Sequence, residues 1–238
     1  MNDMDGAVWL HLGPLALREP LLLAVAVSAL LVGLALWLGR RLAREAADPL
    51  DSSEPSSRLQ GWLEAACSLM REAVAEVVAP GDVDRVLPFV GTLWLFLLIA
   101  NLIGLVPGLS SPTRDLSVTA ALALVVMVSV HVYGIRAAGL RRYLAHHLQP
   151  SPILLPFHLI SELTRTLALA IRLFGNMMSL EMAAMLVLLV AGLLVPIPLL
   201  VLHVVEALVQ AYIFGMLALI YIASALEIQS LPESPDHE

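Results

Sequence analysis

Long uncharged runs separated by short polar breaks set the pattern of this chain. A bilayer core takes roughly 20 helical residues at about 1.5 Å rise each. The run 21–39 lies between Glu19-Pro20 and Arg40-Arg41. It is long and ends in arginines instead of a small-residue cleavage site, which predicts an anchor helix and not a cleaved signal peptide. The runs 86–113 and 116–135 predict a hairpin of two further spans joined by the Pro/Gly/Ser loop 107–114. The helical part of the first is expected to end near Pro107-Gly108. From 153 to 226 the apolar sequence is broken only by Pro196 and Pro198, which suits two long helices folded back on each other.

Between the first two spans the period changes. Leu59, Trp62, Leu63, Ala66, Met70, Ala73 and Val77 recur at helical spacing, while Gln60, Glu64, Ser68, Arg71, Glu72 and Glu76 take the other side. An amphipathic helix over 58–78 follows, either lying on the cytoplasmic membrane surface or packed on a helix of another subunit. The stretch 44–57 reads as a linker. The expected fold class is thus an all-α integral membrane protein with five parts. These are an extracytoplasmic N-terminus and anchor helix (1–45), a cytoplasmic linker and amphipathic surface helix (46–85), a membrane hairpin with its cytoplasmic loop (86–150), a C-terminal helix pair packed as a hairpin (151–230), and a polar tail (231–238).

Composition sharpens this picture. Of 238 residues, 59% are hydrophobic and 14% charged, and the mean hydropathy is +0.87, a membrane composition. The 13 basic residues are all arginine, too few and too dispersed for a nucleic-acid surface. The single Cys67 excludes an internal disulfide and multi-cysteine metal motifs. No P-loop or dinucleotide fingerprint is present, so nucleotide hydrolysis by this chain is not expected, nor is a cofactor. Arg40, Arg41, Arg44, Arg58, Arg71 and Arg85 precede the second span, and Arg136, Arg141 and Arg142 follow the third. Placing these groups in the cytoplasm puts the N-terminus outside and, after two more spans, the C-terminus inside.

A charge held at mid-bilayer costs about 2.5–3.5 kcal/mol on insertion scales, so polar residues inside the spans point to function. The last two helices hold most of them: His158, Glu162, Arg165, Arg172, Asn176, Glu181, His203, Glu206 and Gln210. The earlier spans keep Asn101 and His131, with Arg114 and Asp115 at a span end. Arg172 has no acid within one helical turn, and its guanidinium effectively never deprotonates. Glu162 lies three residues before Arg165, a spacing that allows an ion pair. His203, Glu206 and Gln210 form one stripe at i, i+3 and i+7. In one antiparallel register Gln210 sits near Arg172 and His203 near Glu181, setting a permanent cation apart from a titratable pair. For each residue alone, a helix–helix hydrogen bond is the competing explanation.

The segment Arg172-Leu173-Phe174-Gly175-Asn176-Met177-Met178-Ser179-Leu180-Glu181 resembles the signature of subunit a of F-type ATP synthases, the membrane stator subunit of the F0 sector. Val209-Gln210-Ala211-Tyr212-Ile213-Phe214 is similar to a stretch of that family's last helix. The segments 88–93, 101–108 and 112–116 resemble parts of its second and third membrane segments. The resemblance runs from about 86 to 226; the first 85 residues match in kind only. It implies a stator that couples proton or sodium translocation to ring rotation through two half-channels, in the bacterial inner membrane. Implied partners are the c-subunit ring, peripheral-stalk b subunits, the remaining synthase subunits and the lipid bilayer. By the same resemblance Arg172 meets the ring carboxylate, Gln210 is its neighbour, and Glu181 and His203 line the outer half-channel. Glu162 takes a less firmly placed acidic position, Asn176 belongs to the motif, and Arg165 and Glu206 have open roles in the ion pathway. Three other readings remain beside it: a secondary ion transporter acting without a ring, a structural anchor, and a metal enzyme built on His131, His158 and His203.

Overall fold

The computed structural model describes residues 8–12, 15–47, 56–106, 109, 111–143, 155–191 and 196–227. Among the described residues six long helices carry the fold: α1 (Glu19–Ala47), α2 (Ser56–Ala75), α3 (Val83–Ile103), α4 (Leu116–Ala138), α5 (Leu155–Ala191) and α6 (Pro196–Glu227). Five of them, all but α2, are long and apolar enough to cross a membrane. Helices are the expected solution, because lipid offers backbone N–H and C=O groups no other partner. The tail 231–238, residues 48–55 of the linker, and Pro107-Gly108 lie outside the described residues.

Local chemistry fixes the helix ends. Asp115 caps α4, its Oδ1 accepting from the Ser117 backbone N–H at 2.7 Å. Gly139 closes the helix at φ 80°, a backbone region that other residues resist. Pro196 opens α6, where its missing N–H is no loss. α3 stops at Ile103, earlier than the proline suggests. From Gly104 to Val106 each N–H bonds the carbonyl three residues back, so the chain tightens into a turn before Pro107.

Helix α6 is the central post, packed chiefly on α3 and also on α4 and α5, while α4 and α5 pack on each other. One apolar cluster joins Val86, Val90 and Trp94 to Leu219 and Ile222. A second joins Leu97 and Val126 to Leu173, Phe214 and Ala218. Helix α1 stands at the margin, burying Ala24 and Val27 and leaving most of its length exposed.

Two features differ from the sequence expectation. A two-stranded antiparallel hairpin, β1 (Val8–Leu12) with β2 (Leu15–Arg18), precedes α1. Its signal is Gly13-Pro14, a turn dipeptide flanked by alternating apolar residues. The second is an added contact of α2, the expected amphipathic helix. Its end docks on its own chain, with Val74 and Val78 entering the cluster formed by α3 and α6. Trp62, expected on the apolar face, is 78% exposed. An Arg71–Asp84 ion pair at 2.7 Å ties α2 to α3.

Gly215 permits the tightest approach in the bundle. A Cβ there would run into the Trp94 indole nitrogen. That nitrogen donates to the Tyr212 carbonyl at 3.3 Å, and the two rings stack with centroids 6.2 Å apart. Overpacking of this kind costs about 1–3 kcal/mol. Gly215→Val is expected to lower the unfolding midpoint of the detergent-solubilised chain, and Trp94→Leu in the same background to restore part of it. Equal midpoints for Gly215→Val and parent would refute the contact.

Candidate functional site

The last two helices divide their residues by face. On α5, Leu169, Leu173, Met177 and Leu180 are buried, following the 3–4 spacing of a helix that packs along one side. Leu163, Leu167, Ile171, Met182 and Leu186 point outward. On α6, Ala207, Gln210, Ala211 and Phe214 are buried while Val201, Val205, Leu208, Val209 and Ile213 are exposed. The pair therefore presents an uncovered apolar face.

Arg172 belongs to that face. It is exposed and makes no hydrogen bond or ion pair with any described residue. Its neighbours one turn away are Ala168 and Gly175, both small, and a Cβ at Gly175 would meet open space. Gln210, expected beside Arg172, is buried and bonded elsewhere: Asn176 Nδ2 donates to Gln210 Oε1 at 2.7 Å. The α5–α6 register thus aligns Gln210 one turn beyond Arg172, and Asn176, not the guanidinium, touches it.

Glu181 sits in a polar cluster that closes the end of the bundle carrying the 3-10 turn Pro112–Arg114. Arg114 Nη1 donates to its Oε2 at 2.7 Å, and the Ser111 backbone N–H reaches Oε1 at 3.4 Å. Ser111 Oγ donates to the Ala100 carbonyl at 2.9 Å and lies 2.6 Å from Thr113 Oγ1. Thr113 in turn donates to Asn101 Oδ1 at 2.8 Å. His203 packs its ring against Gly104 beside this network but forms no bond to Glu181; its buried Nε2, like Asn101 Nδ2, has no partner among the described residues. Buried polar atoms without partners cost about 1–3 kcal/mol each, so water completing this cluster is the consistent arrangement. Glu206 lies half-buried three residues past His203.

A second polar cluster forms between α4, α5 and α6, toward the opposite end of the bundle. Glu162 does not pair with Arg165, as the spacing allowed. Its Oε1 meets His131 Nε2 of α4 at 3.2 Å, and Arg165 lies over the Tyr221 ring of α6 at 4.4 Å. A cation over an aromatic face is held by the ring quadrupole. Glu162, Arg165, Thr166, Met127 and Tyr221 line a cavity of about 20 Å³, room for one water. Tyr143, beyond α4, is buried with its ring edge toward His131. Burial pushes its phenol above the usual value, and the Glu162 charge raises it further.

Sequence reasoning singled out every acid and base of these clusters on α5 and α6, yet gave Arg114, Ser111 and Thr113 no role. The signal was available: Arg114 is a cation at a span end on the side that carries few. His131 and His203 fall in separate clusters, and no three His, Cys, Asp or Glu side chains converge among the described residues.

The Arg114–Glu181 pair yields a measurable coupling. Contacting charges in a partly buried site typically couple by about 0.5–3 kcal/mol. A double-mutant cycle of Arg114→Ala and Glu181→Gln, read by unfolding in detergent, is expected to show the double variant less destabilised than the two singles added. Strict additivity would mean that the pair does not form.

Comparison with known proteins adds a whole-chain match. The family described as ATP synthase A chain covers residues 21–223. ATP synthase subunit a 1 of Hahella chejuensis is 56% identical over 236 residues, 99% of this chain and 95% of that protein. ATP synthase subunit a 2 of Pelobacter propionicus is 57% identical over 96% of this chain and 95% of its own. ATP synthase subunit a of Legionella pneumophila strain Corby is 58% identical over 75% of this chain and 76% of its own. The span pattern, the Arg172–Glu181 segment and these matches agree: the chain belongs to the ATP synthase subunit a family of integral membrane proteins.

Proposed function

We propose that this chain is the stator of a rotary ATP synthase membrane sector, a non-catalytic subunit that couples proton or sodium translocation to the rotation of a c-subunit ring. One observation carries the reading: a cation that cannot be neutralised, Arg172, stands on an exposed apolar face of α5 and α6 without a bonded partner among the described residues. A charge in that setting calls for an acid supplied from outside the chain. A ring of subunits, each bringing a carboxylate, supplies one after another.

The work follows from electrostatics. A transmembrane potential contributes about 2.3 kcal/mol per elementary charge per 100 mV. If ions enter from one side through the Glu181–His203 cluster and leave through the Glu162–Arg165 cluster, the potential acts on lateral movement of the ring past Arg172. The guanidinium favours the ionised form of an arriving ring carboxylate, which releases its ion there. It also blocks a direct leak between the two clusters. The Asn176–Gln210 bond holds the helices in register behind Arg172. Glu206 borders the outer cluster.

Arginine distribution favours an outside N-terminus and a cytoplasmic C-terminus in the bacterial inner membrane. The exposed sides of α1 and α2 are then left for lipid and the peripheral-stalk b subunits, and the remaining synthase subunits complete the assembly. The competing secondary transporter would move its ion alone. Membership in a family of ATP synthase subunits favours the stator.

ATP-driven ion uptake in inverted vesicles carrying the whole complex tests the reading, with assembly checked by blotting. Arg172→Ala is expected to assemble and to lose uptake entirely. Arg172→Lys should recover little, because an ammonium is a point charge that can lose its proton on desolvation. Normal pumping by assembled Arg172→Ala would overturn the proposal. Varying sodium and adding an uncoupler in the same assay names the ion.

A further inference from the structure

The contact between His131 and Glu162 has a proton count that geometry fixes. His131 Nδ1 lies 2.8 Å from the Met127 carbonyl oxygen. A carbonyl can only accept, so Nδ1 carries a proton. In the neutral ring Nε2 is then a bare acceptor. It stands 3.2 Å from Glu162 Oε1, which is also a bare acceptor when the carboxyl is ionised. Two acceptors at that distance repel. One proton between them turns the contact into a hydrogen bond, whether it rests on nitrogen as imidazolium with carboxylate or on oxygen as imidazole with carboxylic acid.

The surroundings allow that proton to exchange. The two side chains are 36% and 27% exposed, so neither is sealed inside the bundle. On the inner side Glu162 opens into the 20 Å³ cavity shared with Arg165, Thr166 and Tyr221. The charged and titratable groups around the pair are Arg165 and His158 of α5, Arg136 of α4, Tyr221 of α6, and Tyr143 after α4. Arg165 is turned onto the Tyr221 ring instead of the Glu162 carboxylate. Glu162 is therefore left to His131. This pairing leaves the carboxylate able to give up its proton, which a locked Arg–Glu fork would not.

We propose that His131 and Glu162 together hold one exchangeable proton and act as the proton-loading pair at the end of the bundle carrying Tyr143, a role that rests on the stator reading above. The step is a bare proton transfer. Water delivers a proton to Nε2 or Oε1, the pair passes it to the water of the adjoining cavity, and only N–H and O–H bonds are made and broken. In the reverse direction the same groups take up a proton released by the ring.

The test uses the complete complex in inverted vesicles stripped of the catalytic head, with passive proton conduction driven by an imposed potential and followed as a function of pH. Conduction is expressed per assembled complex. His131→Gln and Glu162→Gln are each expected to lower it roughly tenfold or more and to remove the pH step of the parent. The exchanged pair His131→Glu with Glu162→His should recover conduction. Unchanged conduction and pH profile in either single variant would show a structural contact only and overturn the proposal. So would a parent whose conduction requires sodium and ignores pH. Histidine labelled with ¹⁵N separates this proposal from the stator reading: His131 Nδ1 should stay protonated, while the Nε2 signal should shift in Glu162→Ala, which leaves Nε2 bare whether the shared proton rests on nitrogen or on oxygen in the parent. Identical Nε2 signals in parent and variant would overturn the shared proton even if Arg172 behaves as the stator residue.

Discussion

A guanidinium does not shed its proton to escape a low dielectric. Arg172 is thus a cation wherever the fold sets it, and the arrangement of α5 and α6 follows from that. Buried against α4, it would need an acid on a neighbouring helix. The chain instead turns Leu169, Ala170, Leu173 and Met177 inward and leaves Arg172 on a side that no described residue covers. The acids and the other arginine of α5 each have a companion nearby: Glu181 has Arg114, Glu162 has His131, and Arg165 has Tyr221.

Those companions lie at two separate levels. The Glu181 cluster is joined to the 3-10 turn before α4, and the Glu162 cluster to the middle and end of α4. Between them lie the apolar contacts of Leu97, Leu173 and Phe214 and the half-buried Asn176–Gln210 bond. Among the described residues, packed apolar side chains separate the two polar zones. On the proposed reading, passage from one zone to the other uses the face where Arg172 stands.

Much of this was legible in the sequence because span length and charge are one-dimensional quantities. The anchor run ending at Arg40, the break at Pro196 and the polar set from Glu162 to Gln210 are read without knowing any contact. Pairing is different, because it depends on residues far apart in the chain. Glu162 lies three residues from Arg165, but the helix rotates Arg165 onto Tyr221 and brings His131 of α4 within reach instead. Arg114 lies 67 residues from Glu181, with no local pattern to connect them. On α2 the helical period was visible, yet the docking point was not: Val74 and Val78 are buried because α3 and α6 end beside them, while Trp62 extends past that surface.

The uncovered face is the centre of this account, and a photoreactive residue placed on it asks directly what covers it. Leu208 on α6 is half exposed and carries no polar role, as is Ile171 beside Arg172 on α5. With a photo-crosslinking amino acid at Leu208 in the complete, assembled complex, illumination should join this chain to c subunits, and ATP hydrolysis before illumination should spread the product over different ring members. Crosslinks to lipid alone, or to a single fixed partner that turnover does not change, would contradict a moving ring at this face.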